Sequence, residues 1–273
     1  MAQLLVRALP LGMWFAYLPR GPLVADADIP DAIGALRDAL RGMRCVGLLC
    51  DPEIPDDPVT RDALRSGGAR LSPVHVQPSR TLLFDLDRTP EELLAGMRKK
   101  TRQYVHKAER GGVITEETAD LERFQRVLER VAARDRFGIH DRAYFARLRE
   151  LFGERAHFQM ARVGNEDVGA LLVIRIGDRA WELYGGWSGT HTEERPFYLL
   201  KWRSLLAMKR LGVVRYDMWG LAEGDASLAG VEQFKLGFGG DVVTWVGAIE
   251  APVSAALYPI WQIAGRRRLA RSA

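Results

Sequence analysis

Residues 156–188 read AHFQMARVGNEDVGALLVIRIGDRAWELYGGWS, and the way this stretch folds decides the architecture. Its apolar runs are punctuated at Gly164-Asn165 and Gly177-Asp178, pairs that favour the backbone of tight hairpin turns. Three antiparallel strands are predicted. A helical pattern over 196–210 follows, then VVRYDMWG, residues 213–220, which reads as a strand. Strands, a helix and a further strand in that order predict a layered α/β (α+β) fold.

Working outward, TPEELLAGMRKKTRQYVHKAERGGV, residues 89–113, predicts one long helix. Thr89 is its N-cap, Pro90 suits the first helical position and Gly111-Gly112 ends it. Further helices are predicted around 119–134 and 142–152, with no sustained heptads over 78–157 and so no coiled-coil arm. Near the start, MWFAYLPRGPLV (13–24) reads as strand and turn, and DIPDAIGALRDALRG (28–42) as a helix stopped by Gly42. MRCVGLLCDPEIP (43–55) is a buried strand running into a loop, and residues 67–86 hold two short strands split by Pro78. Downstream, GVEQFKLGFGG (230–240) alternates as a strand would, with Phe234, Leu236 and Phe238 on one face and Lys235, Gly237 and Gly239 on the other. A last strand is predicted over 242–249. The order of elements from 157 to 249 resembles one acyltransferase-like unit, and the first 77 residues give a shorter set of the same kind.

Composition bounds the function. At 273 residues, 47% hydrophobic and 27% charged, the chain is neither disordered nor fibrous. A net charge of +4 suits a polyanionic ligand. Six lysines stand against 33 arginines, so each lysine is used sparingly. Cys45 and Cys50, five apart in a strand, are expected on opposite faces as free, buried thiols of a reducing compartment. No Cys/His spacing fits zinc, so no metal and no resident cofactor is expected. No apolar run is long enough to span a bilayer, and a cytoplasmic, monomeric protein that does not bind DNA is expected. GxxxxGK[ST], GxGxxG, GxSxG and HExxH are all missing, which removes the signatures of nucleotide hydrolases, dehydrogenases, serine hydrolases and metalloproteases.

Several residues remain that can carry chemistry. Lys235 is either a solvated lysine on an edge strand or a cation held in a cleft cleared by Gly237 and Gly239, fit to stabilise an oxyanion or a phosphate. Tyr184 closes a strand before paired glycines, and a core tyrosine is the plainer account. Arg20 in the LPRGP turn and Arg142 at a helix start are phosphate-contact candidates among many arginines. Asp51 ends a strand, where it either points into a cleft or caps the loop. Lys99, Arg102 and His106 share one helix face, either solvated or an RNA track. The arginines after Trp261 suit either a helix dipole or an anionic membrane surface.

Taken as an ordered set, YLPRGP, CDPEIP, RKKTRQYVHKAERGGV, RFGIHDRAYF, ELYGGWS, YDMWG and GVEQFKLGFGG resemble the FemABX family across residues 14–250. These are non-ribosomal peptidyltransferases that build peptidoglycan cross-bridges. The resemblance implies two tandem GNAT-like acyltransferase domains. The first (1–77 plus 247–273) is shortened at its N-terminus and completed by the C-terminal segment, and the second spans 78–246. It implies transfer of an amino acid from aminoacyl-tRNA, as co-substrate, to the stem-peptide side-chain amine of a peptidoglycan precursor. That precursor is a UDP-MurNAc peptide or its lipid-linked form, the latter allowing weak association with the inner membrane face. By matching motif, Lys235 would face the reacting ester carbonyl and Arg142 the precursor's diphosphate. Asp51 would lie in the acceptor cleft, Tyr184 beside the reaction centre, and Arg20 at the basic position before the Gly-Pro turn. Lys99, Arg102 and His106 are then candidates for the tRNA acceptor end. Two alternatives stand beside this: an acyl-CoA-dependent N-acyltransferase in polysaccharide or lipid assembly, and a non-catalytic relative that only binds precursor.

Overall fold

The computed structural model describes residues 2–135, 138–222 and 229–264, so the arginines of the basic tail lie outside the described residues. The chain divides into two units, Met1–Thr81 with Val243–Ala273, and Leu82–Val242. In chain order the first unit supplies β1 (Leu5–Ala8), β2 (Trp14–Leu18), α1 (Ile29–Leu40), β3 (Cys45–Cys50), α2 (Pro58–Ser66) and β4 (Arg70–Leu71). Next come β5 (Arg80–Asp85), α3 (Pro90–Gly96), α4 (Lys99–Arg110), β6 (Ile114–Glu117), α5 (Leu121–Asp135) and α6 (Arg142–Phe152). The meander follows as β7 (Ala156–Val163), β8 (Glu166–Ile176) and β9 (Arg179–Trp187), then α7 (Pro196–Arg210), β10 (Arg215–Gly220), α8 (Ala229–Leu236) and β11 (Asp241–Thr244). The chain returns to the first unit through β12 (Ile249–Pro252) and α9 (Tyr258–Ala264).

The first unit is one sheet in the order β1-β2-β3-β12-β4. Every residue of β3 is buried, which is why its sequence is an unbroken apolar run and why it sits at the centre. Ile33, Leu40 and Leu64 of α1 and α2 pack against one face of the sheet with Leu48 and Cys50, while Tyr258 of α9 joins Phe15, Val46 and Leu49 on the other. The pairing of β2 with β3 shifts register between Trp14 and Ala16, so three residues of β3 answer two of β2. This bulge inverts the side-chain parity. Cys45 and Cys50 therefore share one core, where their spacing alone predicts opposite faces. Both thiols are free, and burial pushes each upward in pKa.

The second unit is a sheet in the order β11-β5-β10-β9-β8-β7-β6. The three predicted strands are present, turning at Gly164 (φ 56°) and Gly177 (φ 59°). Strand β8 is buried on both sides. Leu171 and Val173 meet Leu199 and Leu205 of α7, and Leu172 and Ile174 meet Phe124 and Leu128 of α5. Helix α7 carries the chain from β9 to β10, and these two strands run parallel over only three residue pairs, Arg179 to Trp181 against Arg215 to Asp217. Beyond Trp181 they part. A register shift at Leu172/Val173 against Tyr184/Glu182 adds a bulge on β9 at the start of the opening.

Three expectations are corrected. The single helix over 90–110 is two, because Met97 and Arg98 are extended (ψ 152° and 143°) and the Arg98 amide donates to Gly237 O at 2.9 Å. Residues 229–236 form helix α8, not a strand. The alternation of Phe234, Leu236 and Phe238 misled because Phe234 packs on Phe197 and Tyr198 from a helical turn while Phe238 lies beyond it, in the turn that follows. The strand predicted over 242–249 is also two, β11 in one sheet and β12 in the other, separated at Gly247 (φ 80°).

Candidate active site

Where β9 and β10 part, the gap is closed by α7 and α8 around a cavity of about 170 Å³. Glu182, Tyr184, Trp219, Lys201, Phe234 and Lys235 all reach its wall. Lys235, near the end of α8, is half-buried. Its ammonium donates to Gly220 O at 2.6 Å and to Trp219 O at 3.4 Å. Trp219 sits at φ 62°, a strained backbone for a bulky side chain, and this turns its carbonyl toward the lysine. Burial, and secondly the nearby Lys201 ammonium, lower Lys235 to about 8, while Glu182 and Asp217 oppose the shift. A cation so poised sits in a desolvated groove and is ready to meet a developing negative charge.

The glycines after Lys235 do a different job from clearing its face. A Cβ on Gly237 would lie 2.5 Å from Thr101 Oγ1, and one on Gly239 (φ 85°) would lie 2.7 Å from Gly96 O. They let the chain pass tightly over the α3–α4 joint and so fix where α8 ends. The phenylalanines do brace the site, since Phe234 and Phe238 meet edge to face at 5.2 Å and Phe234 stacks on Phe197 at 5.5 Å.

Behind the cavity lies a buried polar network that residue patterns did not single out. Lys201 donates to Glu182, and both side chains are only 4% exposed. Tyr216 donates to the other Glu182 oxygen at 2.6 Å, and its hydroxyl is 3.0 Å from Ser204 Oγ. Burial and the Glu182 carboxylate push Tyr216 far up, so it stays neutral. One signal was available: Lys201 interrupts FYLLKWRSLLAM with apolar residues on every side, the mark of a lysine on a buried helix face.

A larger cavity of about 500 Å³ shares Gly185, Phe197, Val231 and Phe234 with the first. Trp187, Phe197 and Tyr198 give it aromatic walls, and Arg134 and Arg195 line it as well. The Arg134 guanidinium lies 5.2 Å from the Trp187 ring centre, and that of Arg195 lies 4.4 Å from Tyr104. Flat rings beside fixed guanidiniums suit a base and its phosphate.

Of the other residues singled out by sequence, Tyr184 borders the small cavity, but its hydroxyl is engaged with Tyr144 at 3.1 Å; burial, then Tyr144, push it up in pKa. Arg142 opens α6, exposed, with Glu122 at 3.8 Å, and lines neither cavity. On α4, Arg102 caps the end of α3 through Ala95 O and Met97 O, and His106 faces Glu109 at 3.3 Å. Lys99 is exposed.

In the first unit, Asp51 follows β3 and is 2% exposed, yet neither carboxylate oxygen receives a hydrogen bond among the described residues. Tyr17, Arg20, His75 and Gln77 face it without reaching good hydrogen-bond geometry, and burial holds its carboxyl above the usual range. Arg20, at φ 49°, donates to Pro78 O at 3.0 Å and lies 3.9 Å from Glu53. A buried carboxylate with open acceptor positions is suited to a donor brought by a ligand. No group of His, Cys, Asp or Glu among the described residues is arranged to hold a metal, and no helix among them is long and apolar enough to cross a membrane.

The chain matches the FemAB family over residues 66–167 and 163–266. It is 27% identical over 170 residues to the lipid II:glycine glycyltransferase of Staphylococcus aureus, a match that covers 56% of this chain and 40% of that protein. The crystal structure of FemX superposes with a TM-score of 0.84 at 18% identity, covering 96% of this chain and 86% of that one. A tandem GNAT protein from the clavulanic acid biosynthesis pathway gives 0.52 at 20% identity, covering 93% and 79%. Both likenesses concern the fold, a tandem GNAT-like architecture. With a family match that spans most of its length, the chain belongs to the FemAB family.

Proposed function

We propose that this protein transfers an amino acid from aminoacyl-tRNA to the side-chain amine of a peptidoglycan precursor's stem peptide. The observation that carries the reading is Lys235, an ammonium desolvated to about 8 where β9 and β10 part. The chemistry is aminolysis of an ester. The neutral amine attacks the ester carbonyl, a C–N bond forms, and the C–O bond to the ribose breaks. The proton released by the amine ends on the departing ribose oxygen. Lys235 stabilises the oxyanion of the tetrahedral intermediate and lies ready to aid the leaving oxygen. Positioning supplies ~7–11 kcal/mol in a favourable case and one aimed donor ~3–4 kcal/mol, so no covalent enzyme intermediate is needed.

The donor's terminal nucleoside stacks in the aromatic cavity with its phosphate on Arg134 or Arg195, and Lys99 takes a more distant part of the tRNA. Tyr184 borders the smaller cavity, the one that holds Lys235. For the acceptor, the open oxygens of Asp51 suit an amine donor and Arg20 suits a phosphate in the first unit, and Arg142 suits a phosphate in the second. The same parted strands would also admit an acyl-CoA, since the fold is shared with GNAT acyltransferases.

The test offers UDP-MurNAc-pentapeptide and its lipid-linked form to the purified protein with mixed charged tRNAs, and in parallel with acyl-CoA. Product masses are then measured. A gain of one amino-acid residue in the tRNA arm supports the proposal. A gain only in the acyl-CoA arm replaces it with a CoA-dependent acyltransferase, and binding without turnover in either arm reduces it to a precursor-binding protein.

A further inference from the structure

Lys235 is one of two ammonium groups in the wall of the small cavity. The second, Lys201, lies on α7, with its charge set over Phe197 at 5.5 Å and over Phe234, the neighbour of Lys235, at 6.0 Å. Both its own side chain and that of Glu182 are almost wholly buried. An apolar pair of similar volume would generally hold such a core as well or better. Stability alone therefore does not account for the placement. The groups that face Lys235 are Glu182 and Tyr184 from β9, Lys201 from α7 and Asp217 from β10. Tyr184 stays neutral with its hydroxyl on Tyr144, which leaves the Lys201–Glu182 pair and Asp217 as the charges in play.

We propose that Lys201 is a positioning residue that acts through Lys235: clamped by Glu182 in the shared cavity wall, it governs the charge that Lys235 presents to substrate. This rests on Lys235 being the site's cation. The pair holds opposite charges close together, so its members act on Lys235 in opposite directions, Lys201 weakening its hold on the proton and Glu182 strengthening it. Removing either member leaves the other unopposed, and the two removals act in opposite directions. Loss of Lys201 leaves the Glu182 carboxylate, still accepting from Tyr216, without its counter-charge, and this favours the charged lysine. Loss of the Glu182 charge leaves a bare ammonium that disfavours it.

The experiment measures Lys235 directly, independent of turnover, by competitive amine acetylation across a pH series with peptide mass spectrometry. Lys201→Met should move the Lys235 titration up by about one unit, Glu182→Gln should move it down by about one unit, and Lys201→Arg should leave it in place. The alkaline limb of the rate profile should follow in the same directions. Shifts in one common direction, or none, overturn the proposal, as does failure of both Lys201→Met and Glu182→Gln to fold. If only Lys201→Met misfolds, Glu182→Gln decides by its downward shift. Titrations that move as expected while the rate ignores them would keep the Lys201 coupling and remove Lys235 from the reaction.

Discussion

Replacing Lys235 with methionine tests the site most sharply, because the two side chains are similar in reach and differ in charge. At about 8, the ammonium is charged in about nine molecules of ten at pH 7 and in about half at pH 8. Loss of one aimed donor to the oxyanion removes ~3–4 kcal/mol, so kcat should fall ~10²–10³-fold at pH 7. Stability should scarcely suffer. The drop from 10.5 to about 8 corresponds to about 3 kcal/mol, the net of burial and Lys201 repulsion against the pull of Glu182 and Asp217, and ~1–3 kcal/mol is set against it for removing the lysine donor to Gly220 O and Trp219 O. The sign of the pH dependence follows. The folded lysine binds its proton less tightly than the unfolded one, so wild-type stability rises with pH between about 8 and 10.5, and the methionine variant lacks that rise. Single-turnover transfer measured by product mass, with urea unfolding at several pH values, reads both effects. A Lys235→Met protein that folds and turns over within a few-fold of wild type would refute the reasoning.

Three further outcomes are expected. Asp51→Asn should weaken the acceptor's KM more than kcat, and should be at least as stable as wild type at pH 7, since a buried carboxyl held above its usual range destabilises the fold as pH rises through its titration; thermal melts at pH 4 and pH 7 check the sign. Trp187→Ala removes one wall of the aromatic cavity, so KM for charged tRNA should rise by roughly ten- to a hundredfold, from ~1–3 kcal/mol of stacking, with acceptor KM unchanged in steady-state assays. Gly239→Ala forces a side chain onto a left-handed residue, where its Cβ would lie 2.7 Å from the Gly96 carbonyl oxygen, and a denaturant midpoint should register a loss of ~1–3 kcal/mol.

The meander, α7 and the buried β3 were legible because long apolar runs between turn pairs leave few alternatives. Residues 229–236 were not, because an eight-residue helix shows barely two turns and its FxLxF spacing mimics a strand, while the contacts of Phe234 with Phe197 and Tyr198 that settle it come from α7. The break at Met97 and Arg98 was hidden for the same reason: the partner of the Arg98 amide is Gly237, far along the chain. The sequence shows Arg102 as one of three cations on a helix face but not the carbonyls it caps, and it shows Lys201 among apolar neighbours but not the Glu182 carboxylate that holds it. Local pattern identifies elements well; it does not say which charges are already spoken for.

The place of β12 between β3 and β4 bears on how the protein is made. On the ribosome, β3 emerges some two hundred residues before the strand that must lie against it, so the earlier-born unit stays unfinished until synthesis is nearly over. Chains truncated after Thr244 and released should thus carry a protease-resistant middle and a still-digestible beginning.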